Sequence, residues 1–250
     1  MSAGVDSHSA LFASLEAGAK PVIYSFRMEG VLSRDFKMAQ KTAQHFDLPF
    51  NEIILPDELD TLIRDVRQLA KFGARSKTDF ECFWPMRYMI PRIKEKVMFT
   101  GHGADSLYCL SRKACQHFKG REDEFRTQAF ANKRAFQRHL IVKMCKRYDI
   151  KYVPSFYCDP VLKIFQGTTP ADINKPIQKA VSRFAFAEYF EQVKVYTHTS
   201  FQLGDSGISS HFETLLDSEL NPGRRYKSVR GVYNHVLNSM GLSLSSEDDE

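Results

Sequence analysis

Six residues at the start of the chain, Ser2-Ala3-Gly4-Val5-Asp6-Ser7, set two hydroxyls, a glycine and a carboxylate just ahead of a helix-forming run. Backbone N–H groups at a helix start attract anions; Gly4 permits a tight nest, and Ser2 and Ser7 add donors. Asp6 repels a phosphate unless a cation lies between them, so the group asks for a phosphate together with Mg2+. The competing reading is a helix capped by Ser or Asp, which is common. A second group, Thr100-Gly101-His102-Gly103-Ala104-Asp105-Ser106, follows a strand-like run. Its G-x-G-x-x-S lacks the third glycine of a dinucleotide fingerprint and stands after a late strand, which disfavours a nicotinamide or flavin fold. Instead, Gly101 and Gly103 would bring backbone close to a ligand, with His102 and Asp105 pointing into it.

Elements must position these loops. Leu11, Phe12 and Leu15 lie at helical spacing in His8 to Glu16, and Pro21 to Phe26 reads as a buried strand. Ser33 to Phe46 reads as a helix capped by Ser33, Phe50 to Leu55 as a strand, and Asp57–Phe72 and Asp79–Lys94 as helices. Pro85 and Pro91 should bend or break the last of these. Lys96 to Thr100 reads as another short buried strand that delivers the second loop. From about Arg121 helical patterns dominate, over Phe125–Tyr148, Lys175–Phe190 and Lys227–Met240. The expectation is an α/β fold with a doubly wound parallel sheet and a helical C-terminal part; in such sheets both loops open onto one crevice at the strand ends.

Composition narrows the class. The chain has 250 residues, 43% hydrophobic, enough to bury a core, and 35 basic against 30 acidic residues give a net charge of +5. That excess suits anionic ligands without demanding nucleic acid, which stays open as a partner. Five cysteines without a C-x-x-C pair argue against a zinc ribbon or disulfide framework and for a reducing cytoplasm. No apolar run is long enough to span a bilayer, so no membrane partner is expected.

Taken together, in this order, "SAGVDS" and "TGHGADS" resemble the S-G-G-x-D-S and S-G-E-G-A-D-E loops of the asparagine synthetase-like branch of the N-type ATP pyrophosphatases. The segments "PVIYSFRMEGVLSRDFKMAQKTAQHFDLPFNEIIL" and "WPMRYMIPRIKEKVMFTG" are similar to the family's elements between and before those loops. Later, "KYVPSFYCDPVL" and "INKPIQKA" resemble more loosely its R-V-P-F-L-D and K-x-x-L-R segments. The resemblance implies an adenine nucleotide alpha-hydrolase-like fold: residues 1–120 as the ATP-pyrophosphatase unit, 121–240 as the helical region completing the synthetase domain, and 241–250 as a disordered acidic tail. It implies ATP and Mg2+ as cofactors, and a ligase that adenylates a carboxylate and passes the acyl group to an amine or ammonia. Ser2, Gly4 and Ser7 would then hold the departing phosphates and Asp6 and Asp105 the metal. Lys175 would neutralise charge on the adenylate, and Ser25 and Phe26 would contact adenine; apart from the resemblance, Lys175 reads as a solvated lysine and the other two as sheet core.

The chain also departs from the family. Ala3 replaces a loop glycine, and His102 and Ser106 replace two glutamates, which removes aspartate as the expected substrate. In β-lactam synthetases a tyrosine at the position of His102 serves proton transfer, so His102 is the candidate general base; a loop histidine that only hydrogen-bonds is the competing reading. The family's glutaminase domain has no counterpart, so free ammonia, another amine or a separate glutaminase subunit supplies nitrogen. The strand that precedes the first loop in the family has no counterpart either. If Met1 is the true start, the expectation is weak ATP binding and a sheet lacking its central strand, and an apolar N-terminal extension should raise both stability and nucleotide affinity. Two other functions remain: a nucleobase- or tRNA-modifying ATPase of the same superfamily, and a degenerate nucleotide-binding protein.

Overall fold

The apolar runs near residues 23 and 50 form strands β1 (Ile23–Met28) and β2 (Phe50–Leu55), paired in parallel from Ile23↔Phe50 to Met28↔Leu55. The computed structural model describes residues 1–109, 116–131, 140–195, 206–217 and 221–245. A second parallel pair joins β3 (Val97–Thr100) to β4 (Lys151–Pro154), from Val97↔Lys151 to Thr100↔Pro154. Parallel strands need crossovers. Helix α1 (Val5–Glu16) precedes β1, α2 (Arg34–His45) joins β1 to β2, and α3 (Leu59–Phe72) and α4 (Lys77–Met89) lie between β2 and β3. The chain is therefore α/β, with its described strands in two separate two-stranded sheets. Tyr24 Oη of β1 donates to Glu95 Oε2 at 2.8 Å, just ahead of β3, and Met1 lies against β1 with its carbonyl accepting from Ser25 Oγ at 3.0 Å.

Local chemistry explains the helix ends. Ser33 accepts the Phe36 N–H, as its cap position requires, and Ser76 with Asp79 forms a reciprocal capping box. Gly73 closes α3 at φ 118°, a left-handed conformation that suits glycine. Pro85 stays inside α4, whereas Pro91 falls in a 3-10 turn, Ile90–Arg92, that ends the helical run before Lys94.

Downstream come α5 (Ala104–Tyr108), α6 (Glu122–Ala131), α7 (Leu140–Arg147), α8 (Asp159–Phe165), α9 (Pro170–Asn174), α10 (Ala180–Ala185), α11 (Ala187–Gln192), α12 (Ile208–Asp217) and α13 (Val229–Asn238). This part differs from the sequence reading in three respects. It contains a strand, β4, whose partner lies some fifty residues upstream, so no local pattern marks it. The helix expected from Lys175 is interrupted: Lys175 is extended at φ −121°, as a residue before proline prefers, and helix resumes only at Ala180. Within Phe125–Tyr148, α6 and α7 are helical and residues 132–139 lie outside the described set. In the expected tail, Leu242 and Leu244 pack on the core and the Ser245 N–H donates to the Arg75 carbonyl, while 246–250 lie outside the described residues.

The largest apolar cluster packs β1, β2 and Met98 of β3 against α3, α4, α7, α12 and α13. A second, aromatic cluster sets Phe12 of α1 against Phe46, Phe186, Tyr189 and Phe190, with Ile23 of β1 beneath. Strand β1 is buried at Ile23, Ser25, Phe26 and Met28 and partly exposed at Tyr24 and Arg27, the latter paired with Glu52 of β2. Strand β3 is not buried as expected, since Val97 and Phe99 are 40% and 57% exposed: of its side chains only Met98 joins a core cluster. A third cluster, Ala104, Leu107, Tyr108, Phe156, Phe165 and Ile173, supports the second loop. Buried Arg126 holds that cluster together, donating to the carbonyls of Leu107, Phe165 and Thr168 at 3.0, 2.7 and 2.8 Å.

Candidate functional site

The first loop leads into α1, with Gly4 as its N-cap at φ −79°, ψ 155°. This is extended backbone, so Gly4 is not needed there for a positive φ, and a Cβ on it would meet only Ser2 Oγ, at 3.5 Å. The protein itself makes no demand for glycine at this position. Ser2 Oγ and Ser7 Oγ lie 2.9 Å apart across the loop. The Ala3 N–H is taken by the Asp35 carboxylate from α2, so one donor of the turn serves an internal anion. Behind the loop His8 is fully buried, with Nδ1 3.0 Å from the Gly4 carbonyl and Nε2 3.1 Å from Thr42 Oγ1. A carbonyl can only accept, so Nδ1 carries the proton and Nε2 accepts from the threonine. Burial holds this neutral histidine at a pKa of about 4.

The second loop leaves the end of β3 and packs directly on the first. A Cβ on Gly101 would overlap the backbone of Asp6, and one on Gly103, at φ 96°, would overlap the Tyr157 ring. Both glycines are therefore required by contacts within the protein. His102 is exposed, with Nδ1 3.1 Å from Tyr152 Oη, which in turn lies 2.9 Å from Thr100 Oγ1. Burial raises the Tyr152 pKa, keeping it a neutral phenol in this chain of hydrogen bonds.

Where the loops meet, Lys179 Nζ lies 2.6 Å from Asp6 Oδ2 and 2.8 Å from Asp105 Oδ1. The lysine side chain is 2% exposed, against 18% for Asp6 and 54% for Asp105. Lys179 sits at φ 59°, a left-handed conformation unusual for a residue with a Cβ, and its N–H donates to Asn174 Oδ1 at 3.0 Å. Asn174 in turn donates through Nδ2 to the Tyr108 carbonyl at 3.0 Å, tying the lysine to α5. The ammonium also lies 5.7 Å from the Tyr108 ring centroid, within cation–π range. Burial pushes the Tyr108 hydroxyl up to about 12, with the charges of Asp6 and Asp105 adding to the shift.

The structure thus brings Ser2, Gly4, Asp6, Ser7, Gly101 and Asp105 together, with His102 and Gly103 continuing the second loop. It does not bring Lys175 to them. That residue is exposed, and Lys179, four positions on, meets the carboxylates. Ser25 and Phe26 are buried in β1 beside Met1. The sequence carries no local sign of Lys179, because its position depends on a left-handed turn and on Asn174.

Among the described residues no group of three or more His, Cys, Asp or Glu side chains converges to hold a metal by itself. The cation position between Asp6 and Asp105 is filled by the Lys179 ammonium; a hard ion that keeps its waters and rides in on phosphate oxygens, as Mg2+ does, would fit through the carboxylate oxygens that do not meet the ammonium, above all those of the more exposed Asp105. Cys145 and Cys158 are free thiols, and Cys115 lies outside the described residues. No described helix is long and apolar enough to cross a membrane. The chain matches no protein-family model and no curated protein.

Proposed function

We propose that this protein is an ATP-dependent, AMP-forming carbon–nitrogen ligase of the asparagine synthetase-like kind, on a doubly wound fold. One observation carries the reading: two phosphate-type loops about a hundred residues apart meet at Gly101, with Lys179 between Asp6 and Asp105. A structural salt bridge alone does not call for Gly4, whose place in the protein an alanine would fill without clash. A phosphate approaching the helix start closely does.

The substrate carboxylate oxygen attacks the α-phosphorus of ATP, the bond to the bridging oxygen of the β-phosphate breaks, and pyrophosphate leaves. The hydroxyls of Ser2 and Ser7, and the Gly4 N–H on exchanging its 3.3 Å bond to Ser2 Oγ for a phosphate oxygen, bind the departing phosphates, and the Lys179 ammonium neutralises charge gathering there. Mg2+ held by Asp6 and Asp105 would shield the phosphates from those carboxylates and stabilise the leaving group. An amine then attacks the acyl carbon and AMP departs with the C–O bond electrons. His102, oriented by Tyr152, takes the proton of the attacking amine. The carboxylate and amine are small molecules, with a separate glutaminase subunit as one source of ammonia, and the reaction is assigned to the cytoplasm.

Exchange of labelled pyrophosphate into ATP, run with panels of carboxylates, tests the first half-reaction. Carboxylate-dependent exchange supports the ligase; its absence at saturating ATP and Mg2+ overturns it. A second reading, nucleotide binding without turnover, is favoured by the Asp35 carboxylate on the Ala3 N–H, which uses a loop donor internally. Calorimetric ATP binding without any exchange, unaltered in His102→Ala, selects that reading. Pyrophosphate release that depends on added tRNA selects the nucleic acid-modifying alternative.

A further inference from the structure

A groove lies at the other end of the molecule. It opens between the C-terminal turns of α3 and α7, beside Tyr148, three residues before β4 begins, whereas the second loop leaves the opposite end of that same parallel pair. A hollow of about 420 Å³ is lined by Gln68, Lys71, Phe72 and Arg147, and an adjoining one of about 260 Å³ adds Arg87, Met144 and Tyr148. Among the described residues no acidic side chain lines either hollow. Two carboxylates lie near it: Asp65 is buried and already receives Trp84 Nε1 at 3.1 Å and Arg87 Nε at 2.6 Å, and Asp149, next to Tyr148, is exposed and pairs with Lys96 at 2.7 Å.

The cations extend beyond the groove. Arg64, Arg67 and Lys71 share the outer face of α3 at helical spacing, opposite its buried Leu62, Val66 and Leu69, and Lys146 precedes Arg147 on α7. Among the described residues no carboxylate pairs with Arg67, Lys71, Lys146 or Arg147 within ion-pair distance. Tyr148 is 44% exposed and Phe72 half-buried, so two aromatic rings stand among these cations. Cations that track a backbone, interleaved with rings on which bases can stack, are what a single nucleic acid strand requires. An acidic peptide would use the cations and leave the rings idle.

We infer that this groove binds single-stranded nucleic acid, a base stacking on Tyr148 and Phe72 and its phosphates lying on Lys71 and Arg147, with the strand continuing along Arg67. The site is separate from the candidate ATP site and does not depend on it.

Fluorescence anisotropy of a labelled oligouridylate with the whole protein, at about 50 mM salt where phosphate contacts are little screened, tests this. The oligonucleotide should bind, and the Lys71→Gln/Arg147→Gln double variant should bind more than about tenfold more weakly, with a log–log salt slope shallower by about 1.4 for two lost contacts. Tyr148→Ala should weaken binding by at least about fivefold. Unchanged far-ultraviolet circular dichroism and melting temperature would show that these surface variants fold. Lys175→Met, which removes an exposed cation outside both the groove and the candidate ATP site, should bind the oligonucleotide like the parent. No binding, or binding insensitive to the double variant, overturns the inference. AMP that competes as tightly as the strand assigns the groove to free nucleotides and overturns it too, as does polyglutamate competing equally well.

Discussion

Lys179 does more than any other single residue to join the site, since its ammonium holds carboxylates from both loops. Removing one partner of a buried pair leaves the others uncompensated. Lys179→Met should therefore lower stability by about 3 kcal/mol and abolish pyrophosphate exchange, whereas Lys175→Met, on an exposed extended segment, should change stability by less than about 0.5 kcal/mol and leave exchange unaltered. Equal effects of the two in urea unfolding and exchange assays would remove Lys179 from its assigned role. His8 makes a prediction in pH. Burial holds its folded pKa at about 4, below the ordinary histidine value of 6.5, so the native state favours the neutral ring and the unfolded state binds the proton first. The stability it contributes is complete above pH 6.5 and is lost as pH falls towards 4, a total of about 3 kcal/mol. In His8→Gln the decline in unfolding free energy between pH 6.5 and 5 should flatten; an unchanged slope would mean that other groups cause it. The serines, glycines and aspartates of the site were legible because each group falls within six or seven consecutive residues. The role of Lys179 was not, because a family-like K-x-x pattern begins at Lys175 and nothing local marks the later lysine.

The two loops are joined by contact between elements, and their glycines serve different ends. Gly101→Ala pushes a Cβ into the Asp6 backbone and should cost about 2 kcal/mol by overpacking. Gly4→Ala places a Cβ where only Ser2 Oγ lies near, at an ordinary φ of −79°, and should cost less than about 1 kcal/mol of stability. If a phosphate approaches this helix start, the same variant should weaken ATP binding by about tenfold or more, the loss of about one good hydrogen bond. Calorimetry together with chemical denaturation separates the two effects; a Gly4→Ala protein with normal ATP affinity would mean that phosphate does not sit there. At this scale the helices α1, α2 and α3 and the strands β1 and β2 could be read from the sequence, because their apolar periods and caps are local. Strand β4 escaped notice since four residues ending in Pro154 carry too little pattern, and its ladder partner is remote. The single helix expected over Lys175–Phe190 failed at Pro176, where the proline overrode an otherwise helical period.

For the whole molecule, ligand binding should register as stability. A nucleotide that binds only the folded chain adds about 2.7 kcal/mol at a hundredfold excess over its dissociation constant, which for a chain of this size raises the melting temperature by roughly 5–10 °C. ATP with Mg2+ should produce such a shift, and chelating the metal should remove most of it, because Asp6 and Asp105 would then face bare phosphates; a shift indifferent to Mg2+ would exclude these carboxylates as its ligands. The α/β class followed from the sequence alone, as did both loops, since each depends on composition or on spacing over a few residues. Tertiary structure decided that the described strands form two parallel pairs, that Lys179 sits between two carboxylates, and that Asp35 occupies a donor of the first loop. It also gathered the cations of α3 and α7 around Phe72 and Tyr148 at the far end of the strands. The physical reason is common to all four: ladder pairing, burial of charge and the facing of helix ends join residues far apart in the chain, and such contacts are specified by the packed whole.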